Sequence, residues 1–250
     1  MDPLRFIQIT DTHLFDRAEG TLRGLDTAQS LAAVVAQVRA RGSHIDGILA
    51  TGDLSHDDGT PSYRRLVQLL APLHAPIYCL PGNHDALGVF ACALKGSQVQ
   101  SGGCLLADNW QLIFLDSALP GAVHGHLRPA EFARLDAALR GHPERHALIC
   151  LHHQPIPVGS AWLDKLMLDN AAGLFEIVDR HAHVRGILWG HVHQSFDATR
   201  NRVRLLASPS TCIQFKPGCA DFTLDDQPPG YRWVELHADG NITTDVEWLD

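Results

Sequence analysis

Six short apolar runs punctuate this chain: LRFIQIT (4–10), IDGILAT (45–51), PIYCLPG (76–82), QLIFLD (111–116), HALICLHH (146–153) and VRGILWGH (184–191). Runs this short and this apolar read as strands covered on both faces, which need no polar alternation. Between them, residues 30–42, 62–73, 130–141 and 171–182 carry apolar side chains at helical spacing, and the first and third of these end in Gly42 and Gly141, a helix stop signal. Strands alternating with helices demand a sheet with helices packed over it. Past Gly190 the pattern changes. RVRLLASPS, YRWVELHAD and NITTDVEWL are strand-like with no helix between them, and HADGN is a turn signal. The expectation is an α/β (α+β) chain forming one domain over residues 1–250, in which antiparallel strands from 203–250 complete a second sheet.

The residues just past the strands carry the chemistry. Asp11-Thr12-His13 comes after the first run, Gly52-Asp53 after the second, and Gly82-Asn83-His84-Asp85 after the third. His152-His153 ends the fifth, and Gly190-His191-Val192-His193 comes after the sixth. Five strands thus deliver Asp, His or Asn to their C-terminal ends, the edge at which α/β sheets place ligands. Imidazole, carboxylate and amide oxygen form a donor set for borderline and hard cations such as Zn, Fe, Mn and Co. Asp11, His13, Asp53, Asn83, His152, His191 and His193 are too many for one tetrahedral ion. They suit two ions if a carboxylate with two oxygens, most naturally Asp53, bridges them. In an extended segment the i, i+2 pairs Asp11/His13 and His191/His193 project to one side. Adjacent His152 and His153 point to opposite faces, so one of them alone faces the ions; His152 is favoured, and His153 is the alternative.

Composition narrows the partners. With 28 acidic against 20 basic residues the chain carries a net charge of -8, which argues against a nucleic-acid backbone as ligand. Its uncharged apolar runs fall far short of the roughly 20 residues that span a bilayer. The N-terminus, with Asp2 and no cationic leader, reads as a first strand rather than a signal peptide. The six cysteines (79, 92, 104, 150, 212 and 219) form no CxxC pair. They read as reduced, buried thiols, and a cytoplasmic location is expected.

Asp-Thr-His, Gly-Asp, Gly-Asn-His-Asp, His-His and Gly-His-Val-His, in this order from residue 11 to residue 193, resemble the motifs of the calcineurin-like metallophosphoesterases. The resemblance implies a two-sheet β-sandwich flanked by helices. ITDTHLF, ATGDLSHD, LPGNHD, SAWLDKLMLDNA, PSTCIQFKPG and FTLDDQPPGYRWVELHADG together resemble its branch of bacterial class III cyclic AMP phosphodiesterases over almost the whole chain. By that resemblance one metal is held at Asp11, His13, Asp53 and His193, and the other at Asp53, Asn83, His152 and His191, with His84 beside the phosphate. Iron, or iron with manganese, is the implied pair. The family's protein phosphatases carry Glu after the Asn-His pair and Asp-Arg-Gly after the second motif. Asp85 and Leu54-Ser55-His56 stand there instead, without the arginine that grips a phosphomonoester dianion. A diester substrate is the expectation.

The implied reaction is hydrolysis of 3′,5′-cyclic AMP to 5′-AMP by a hydroxide held between the two ions, with Asp53 and His84 as catalytic residues. His84 is read either as the acid for the leaving oxygen or as a hydrogen-bond donor to a non-bridging one. His13, Asp53, Asn83, His84 and His193 are expected to contact substrate. A broader enzyme acting on glycerophosphodiesters or aryl phosphodiesters is the alternative. Around this set, Asp16, His56 and Asp57 read as loop residues, with His56 able to line the site. His124 and His126 read as rim or solvated residues. Phe215 and Lys216 are read either as contacts to a base or a neighbouring subunit, or as a loop packed on its own sheet.

Overall fold

The computed structural model describes residues 2–93 and 99–249. The first half of the chain runs β1 (Leu4–Ile9), α1 (Thr27–Arg41), β2 (Gly47–Thr51), α2 (Thr60–Leu70), β3 (Ile77–Leu80), α3 (Leu87–Ala93), β4 (Val99–Ser101), β5 (Gly103–Ala107) and β6 (Trp110–Phe114). It continues through α4 (Pro129–Gly141), β7 (His146–Cys150), α5 (Ala171–Arg180), β8 (Val184–Trp189), β9 (Phe196–Arg200), β10 (Val203–Ala207), β11 (Gly230–Leu236) and β12 (Ile242–Trp248). Two six-stranded sheets result, in the orders β12-β11-β1-β2-β3-β4 and β9-β10-β8-β7-β6-β5. Strands β1 to β4 are mutually parallel, as are β6, β7, β8 and β10. All six apolar runs are strands, and the two-sheet sandwich flanked by helices is the observed class.

Alternation along each strand explains the layers. Phe6, Leu49, Leu112, Leu148 and Leu188 point into the space between the sheets, where they meet Trp110, Phe114, Leu206 and Val234. Their neighbours Ile7, Ile48, Ile113, Ile149 and Ile187 point the other way, under helices. On the first sheet those helices are α1 and α2, through Leu31, Val34, Val38, Leu66 and Leu70; on the second they are α4 and α5, through Leu135, Leu139, Leu174 and Val178. The apolar spacing sets the helix faces but not their ends. Helix α1 begins three residues before its apolar pattern because the Asp26 carboxylate accepts the N–H groups of Ala28 and Gln29. It stops at Gly42, whose φ of 66° closes a left-handed cap.

The C-terminal third departs from expectation. Strand β10 runs parallel to β8 inside the second sheet, with β9 antiparallel at its edge. The β11–β12 hairpin crosses to the first sheet, where β11 pairs antiparallel with β1. Residues 203–250 therefore finish both sheets rather than completing one. The free edge of β1 is the reason: β11 saturates its backbone groups while Tyr231 and Trp233 pack on the α1/α2 side and Val234 between the sheets. Among the cysteines, Cys79, Cys150 and Cys212 are free and buried as expected, but Cys104 is exposed and Cys219 half-buried, both lying in edge or loop segments. Cys92 lies outside the described side chains.

A polar layer interrupts the core at the end of the sandwich that carries the motifs. Gln8 donates to Thr51 Oγ1 at 2.7 Å and to the Trp189 carbonyl at 2.9 Å, joining the two sheets, and its Oε1 accepts the Ser208 hydroxyl. Its register partner Arg232 is buried, and burial pulls its guanidinium down to about 10. The guanidinium donates to Ser208 Oγ, Thr244 Oγ1 and the carbonyls of Ala207 and Phe196 at 2.7–3.3 Å. One side chain thereby ties β11 and β12 of the first sheet to β9 and β10 of the second. Arg232→Met keeps most of the stem but strips donors from the buried Ala207 carbonyl and the half-buried Phe196 carbonyl, so it should lower the free energy of urea unfolding by about 1–3 kcal/mol.

Candidate metal centre

The segments after β1, β2 and β8 leave the sheets through an unusual backbone. Asp11 (φ 52°), His13 (43°), Asp53 (50°), His191 (64°) and His193 (47°) all occupy the left-handed region. The two i, i+2 pairs therefore do not project from extended chain, as alternation suggested; each residue is turned inward by its own left-handed kink. Such conformations cost of order 1–3 kcal/mol each for residues with a side chain. Backbone hydrogen bonds hold them: Asp11 N–H to the Gly52 carbonyl (3.0 Å), His13 N–H to Asp53 (2.9 Å), Leu14 N–H to Leu54 (3.1 Å) and Gly190 N–H to His152 (3.1 Å).

The seven predicted ligand residues come together. Donor atoms of Asp11, His13 and His193 lie within 4.8 Å of one another, as do those of Asp11, Asp53 and His152, and those of His152, His153 and His191. Asp53 stands between the groups: its Oδ1 is 3.4 Å from His152 Nε2 and its Oδ2 3.8 Å from His13 Nε2. His193 Nε2 lies 3.3 Å from Asp11 Oδ1 and 3.3 Å from His13 Nε2, and Asn83 Oδ1 lies 3.3 Å from His152 Nε2. His84 anchors its backbone N–H on Asp53 Oδ1 at 2.8 Å, and its ring meets that of His13 edge-on. A cavity of about 190 Å³ opens on His13, Asp53, Asn83, His84, His191 and His193, and Val123, Trp162, Leu163, Leu166 and Phe215 form its other wall.

Tautomers can be read from outer partners. His152 Nδ1–H donates to the Thr51 carbonyl (2.8 Å) and His193 Nδ1–H to the Ile213 carbonyl (2.7 Å), so in each ring Nε2 faces the cluster. His153 is different. Its Nε2–H donates to the Val123 carbonyl (3.2 Å) and its Nδ1 accepts the Ser117 hydroxyl (2.8 Å), so both ring nitrogens have protein partners. The geometry favours His152 over His153 as donor.

Electrostatics match a cation centre. Burial drives the imidazoles of His13 and His191 down to about 3, keeping their lone pairs free, and His191 Nε2 is buried with no hydrogen-bond partner. Burial raises the carboxyls of Asp11 and Asp53, but the surrounding histidines outweigh it and hold both below the usual range. Burial opposes protonation of His152, yet Asp53 and Asp11 raise it to about 9. The nearest thiol, Cys212, is pushed up to about 12 by burial and stays protonated, so the donors are nitrogen and oxygen. This set fits two borderline or hard cations.

His56, read from sequence as a loop residue able to line the site, and Asp85, given no role there, both support the site closely. His56 brings Nδ1 to 3.3 Å from His13 Nδ1 and stacks on His84 at 5.2 Å between centroids. Asp85 is buried and collects the N–H groups of Gly82, Leu54 and Ser55 and the Tyr63 hydroxyl at 2.9–3.2 Å, clamping the Gly-Asp loop to the Gly-Asn-His loop. Its place at the end of Gly-Asn-His-Asp was the available signal. Asp16 and Asp57 are loop residues, with Asp57 accepting the Asp16 N–H. His124 and His126 pair with Asp169 and do not line the cavity described above. Phe215 lies flat on His193, 4.1 Å between centroids, while Lys216 is exposed.

Residues 4–195 match the profile of the calcineurin-like phosphoesterases. The chain is 44% identical over 244 residues to the 3′,5′-cyclic adenosine monophosphate phosphodiesterase of Pseudomonas aeruginosa, covering 98% of this chain and 89% of the relative. It is 42% identical over 247 residues to the enzyme of the same name from Escherichia coli K12, with 98% and 90% coverage. Among solved structures, a dimetal phosphatase from Danio rerio superposes with a TM-score of 0.67 at 15% identity over 100% of both chains, and that likeness is one of fold.

Two outcomes test this geometry. A Cβ at residue 82 would overlap Asp53 Oδ1 and sit 2.8 Å from His152 Cε1, so Gly82→Ala should bind less than half the wild-type metal by elemental analysis while keeping its far-ultraviolet circular dichroism. Because His152 in the metal-free protein holds a proton up to about pH 9, a cation must displace it. Apparent metal affinity should therefore rise with pH, by up to about tenfold per unit between pH 6 and 9, with proton release measurable by calorimetry in buffers of different ionisation enthalpy.

Proposed function

Because the chain belongs to the calcineurin-like phosphoesterase family, we propose that it hydrolyses 3′,5′-cyclic AMP to 5′-AMP at this cluster. The observation that carries the reading is identity above 40%, spread over 98% of the chain, to relatives named for that reaction. In it, Asp11, His13, Asp53 and His193 hold one ion, and Asp53, Asn83, His152 and His191 the other. The two Asp53 oxygens facing opposite halves of the cluster support Asp53 as the bridge. Two ions held there supply positive charge against the phosphoryl oxygens and acidify water to a nucleophile at neutral pH. Iron with iron or manganese is the proposed pair; zinc and cobalt suit the same donors.

The chain's own groups do the rest. Asp11 and Asp53, held ionised, set the charge that retains the cations, and the neutral imidazoles of His13 and His191 present lone pairs. His84 is half-buried, faces the cavity and has its backbone pinned to Asp53, so its ring reaches the phosphate with little freedom. As the water oxygen bonds to phosphorus, the bond to the ribose 3′ oxygen breaks and that oxygen takes a proton, which His84 is placed to donate. His13, Asp53, Asn83, His84 and His193 all border the space the diester would fill. No helix in the described chain is long and apolar enough to cross a membrane. Five free cysteines among the described residues, three of them buried, support a reducing compartment, and a cytoplasmic location is part of the proposal.

Product analysis by ³¹P NMR should give 5′-AMP from cyclic AMP. A wild-type enzyme that cleaves bis-aryl phosphate but leaves cyclic AMP intact would establish the broader diesterase instead. His84→Ala should lose about 10²–10⁴-fold in kcat with metal content unchanged. That loss should shrink on a substrate whose leaving group needs no proton, whereas an equal loss on both substrates would make His84 a phosphate binder. Asp53→Ala should lose both ions together, and one retained equivalent would reject it as the bridge.

A further inference from the structure

The wall of the cavity opposite the histidine–carboxylate cluster is not used by that reaction. It is apolar, and Trp162 is its largest member. Two rings fix Trp162 in place: Phe215 meets it edge-on at 5.1 Å between centroids, and Phe222 does so at 5.2 Å. Since Phe215 also lies flat on His193, the tryptophan is held at a set separation from the cluster. The backbone beside it is anchored as well. The Ser160 hydroxyl accepts Gln194 Nε2 (3.2 Å) and the Gly218 N–H (3.1 Å), the Ala161 N–H donates to the Cys219 carbonyl (3.1 Å), and Gln154 Nε2 donates to the Leu163 carbonyl (2.8 Å).

Exposed large apolar side chains gather on this flank. Of the four found among the described residues (Leu106, Val123, Phe222 and Leu224), Val123 lines the cavity, Phe222 packs on Trp162, and Leu224 is the strand partner of Phe215. Such side chains are ordinary when scattered, but gathered beside a reactive cluster they mark a surface that a ligand covers. A cyclic nucleotide presents two unlike parts, an anionic phosphodiester and a flat base with an apolar π face. The cluster suits the first and the wall suits the second. A glycerophosphodiester with small polar alcohols offers this wall nothing to bury.

We propose that Trp162, braced by Phe215 and Phe222, is the platform on which the base of the cyclic nucleotide rests, and that it determines the preference for nucleoside diesters over other diesters. The proposal rests on the cyclic-nucleotide reading of the site and adds its specificity residue. Every base has a π face, so the platform selects for the presence of a base.

The test compares cyclic AMP with the 3′,5′-cyclic phosphate of methyl riboside, which has the same scissile bond and no base, on metal-loaded enzyme. The wild type should favour cyclic AMP. In Trp162→Ala the KM for cyclic AMP should rise about 10- to 100-fold, with a much smaller change for the base-free substrate, so that the preference collapses; Trp162→Phe should restore most of it. Leu166→Gln, which makes the same wall polar without removing a ring, should lower the preference too and reports independently if Trp162→Ala does not fold. Equal losses on both substrates, or a preference that survives in both Trp162→Ala and Leu166→Gln, would overturn the platform. A wild type that cleaves neither cyclic phosphate while hydrolysing another diester overturns the cyclic-nucleotide reading itself, and the platform with it.

Discussion

Two carboxylates, Asp11 and Asp53, are buried at the end of the sandwich with no lysine or arginine paired to them among the described residues; the pairs they make are with histidines. Moving a carboxylate out of water is expensive unless positive charge or several donors meet it. In the metal-free protein part of that charge comes from His152, which the two acids hold protonated against its burial. Burial keeps His13 and His191 neutral, and His191 Nε2 has no partner at all. The site is thus arranged with negative charge and free lone pairs in excess, and cations satisfy both. Five left-handed residues at the same place tell the same story in backbone terms. The scaffold holds these conformations in place against their intrinsic cost.

Everything that positions those groups derives from parallel strands ending at one edge. In β1, β2 and β3 of one sheet, and β7 and β8 of the other, the chain reaches its motif only after crossing the core. Bare backbone is needed at the crossings. At Gly52, with φ of 95°, a Cβ would overlap His152 Nδ1 and lie 2.8 Å from the Gly82 nitrogen. Gly-Asp and Gly-Asn-His are therefore packing motifs as much as chemical ones: the glycine lets an imidazole or carboxylate lie against the neighbouring loop. Asp85 performs the complementary task, fastening those loops through three backbone N–H groups and the Tyr63 hydroxyl.

The strands and the residues that cluster beyond them were legible because each leaves a local mark: an apolar run of five to seven residues, then Asp, His or Asn. The i, i+2 geometry was not, since alternation assumes extended chain and all four residues of the two pairs have left-handed φ instead. His153 illustrates a finer limit. Adjacency to His152 split the pair by face, but the decision between them depends on Ser117 and Val123, 36 and 30 residues away in sequence. Arg232 was equally hidden: within YRWVELHAD it looks like an outward-facing strand residue, and only the pairing of β11 with β1 turns it toward Ser208 and the second sheet. The destination of the β11–β12 hairpin depends on which sheet edge stands open, a fact of the assembled fold.

The phosphoesterase profile ends at residue 195, yet the likeness to the two relatives runs through 98% of the chain. The difference is the segment that carries β9 to β12 and the residues from Ile213 to Phe222. That segment reaches back to the cluster at two points: the Ile213 carbonyl receives His193 Nδ1–H, and Phe215 lies on the same imidazole. The shared frame thus supplies ions and phosphate chemistry. The residues beyond it orient one of the frame's own histidines and, through Phe215 and Phe222, brace the tryptophan facing that chemistry. A change in this last fifth of the chain can therefore alter which diester is accepted through the same side chains that hold His193 in place, which couples substrate choice to the geometry of the centre.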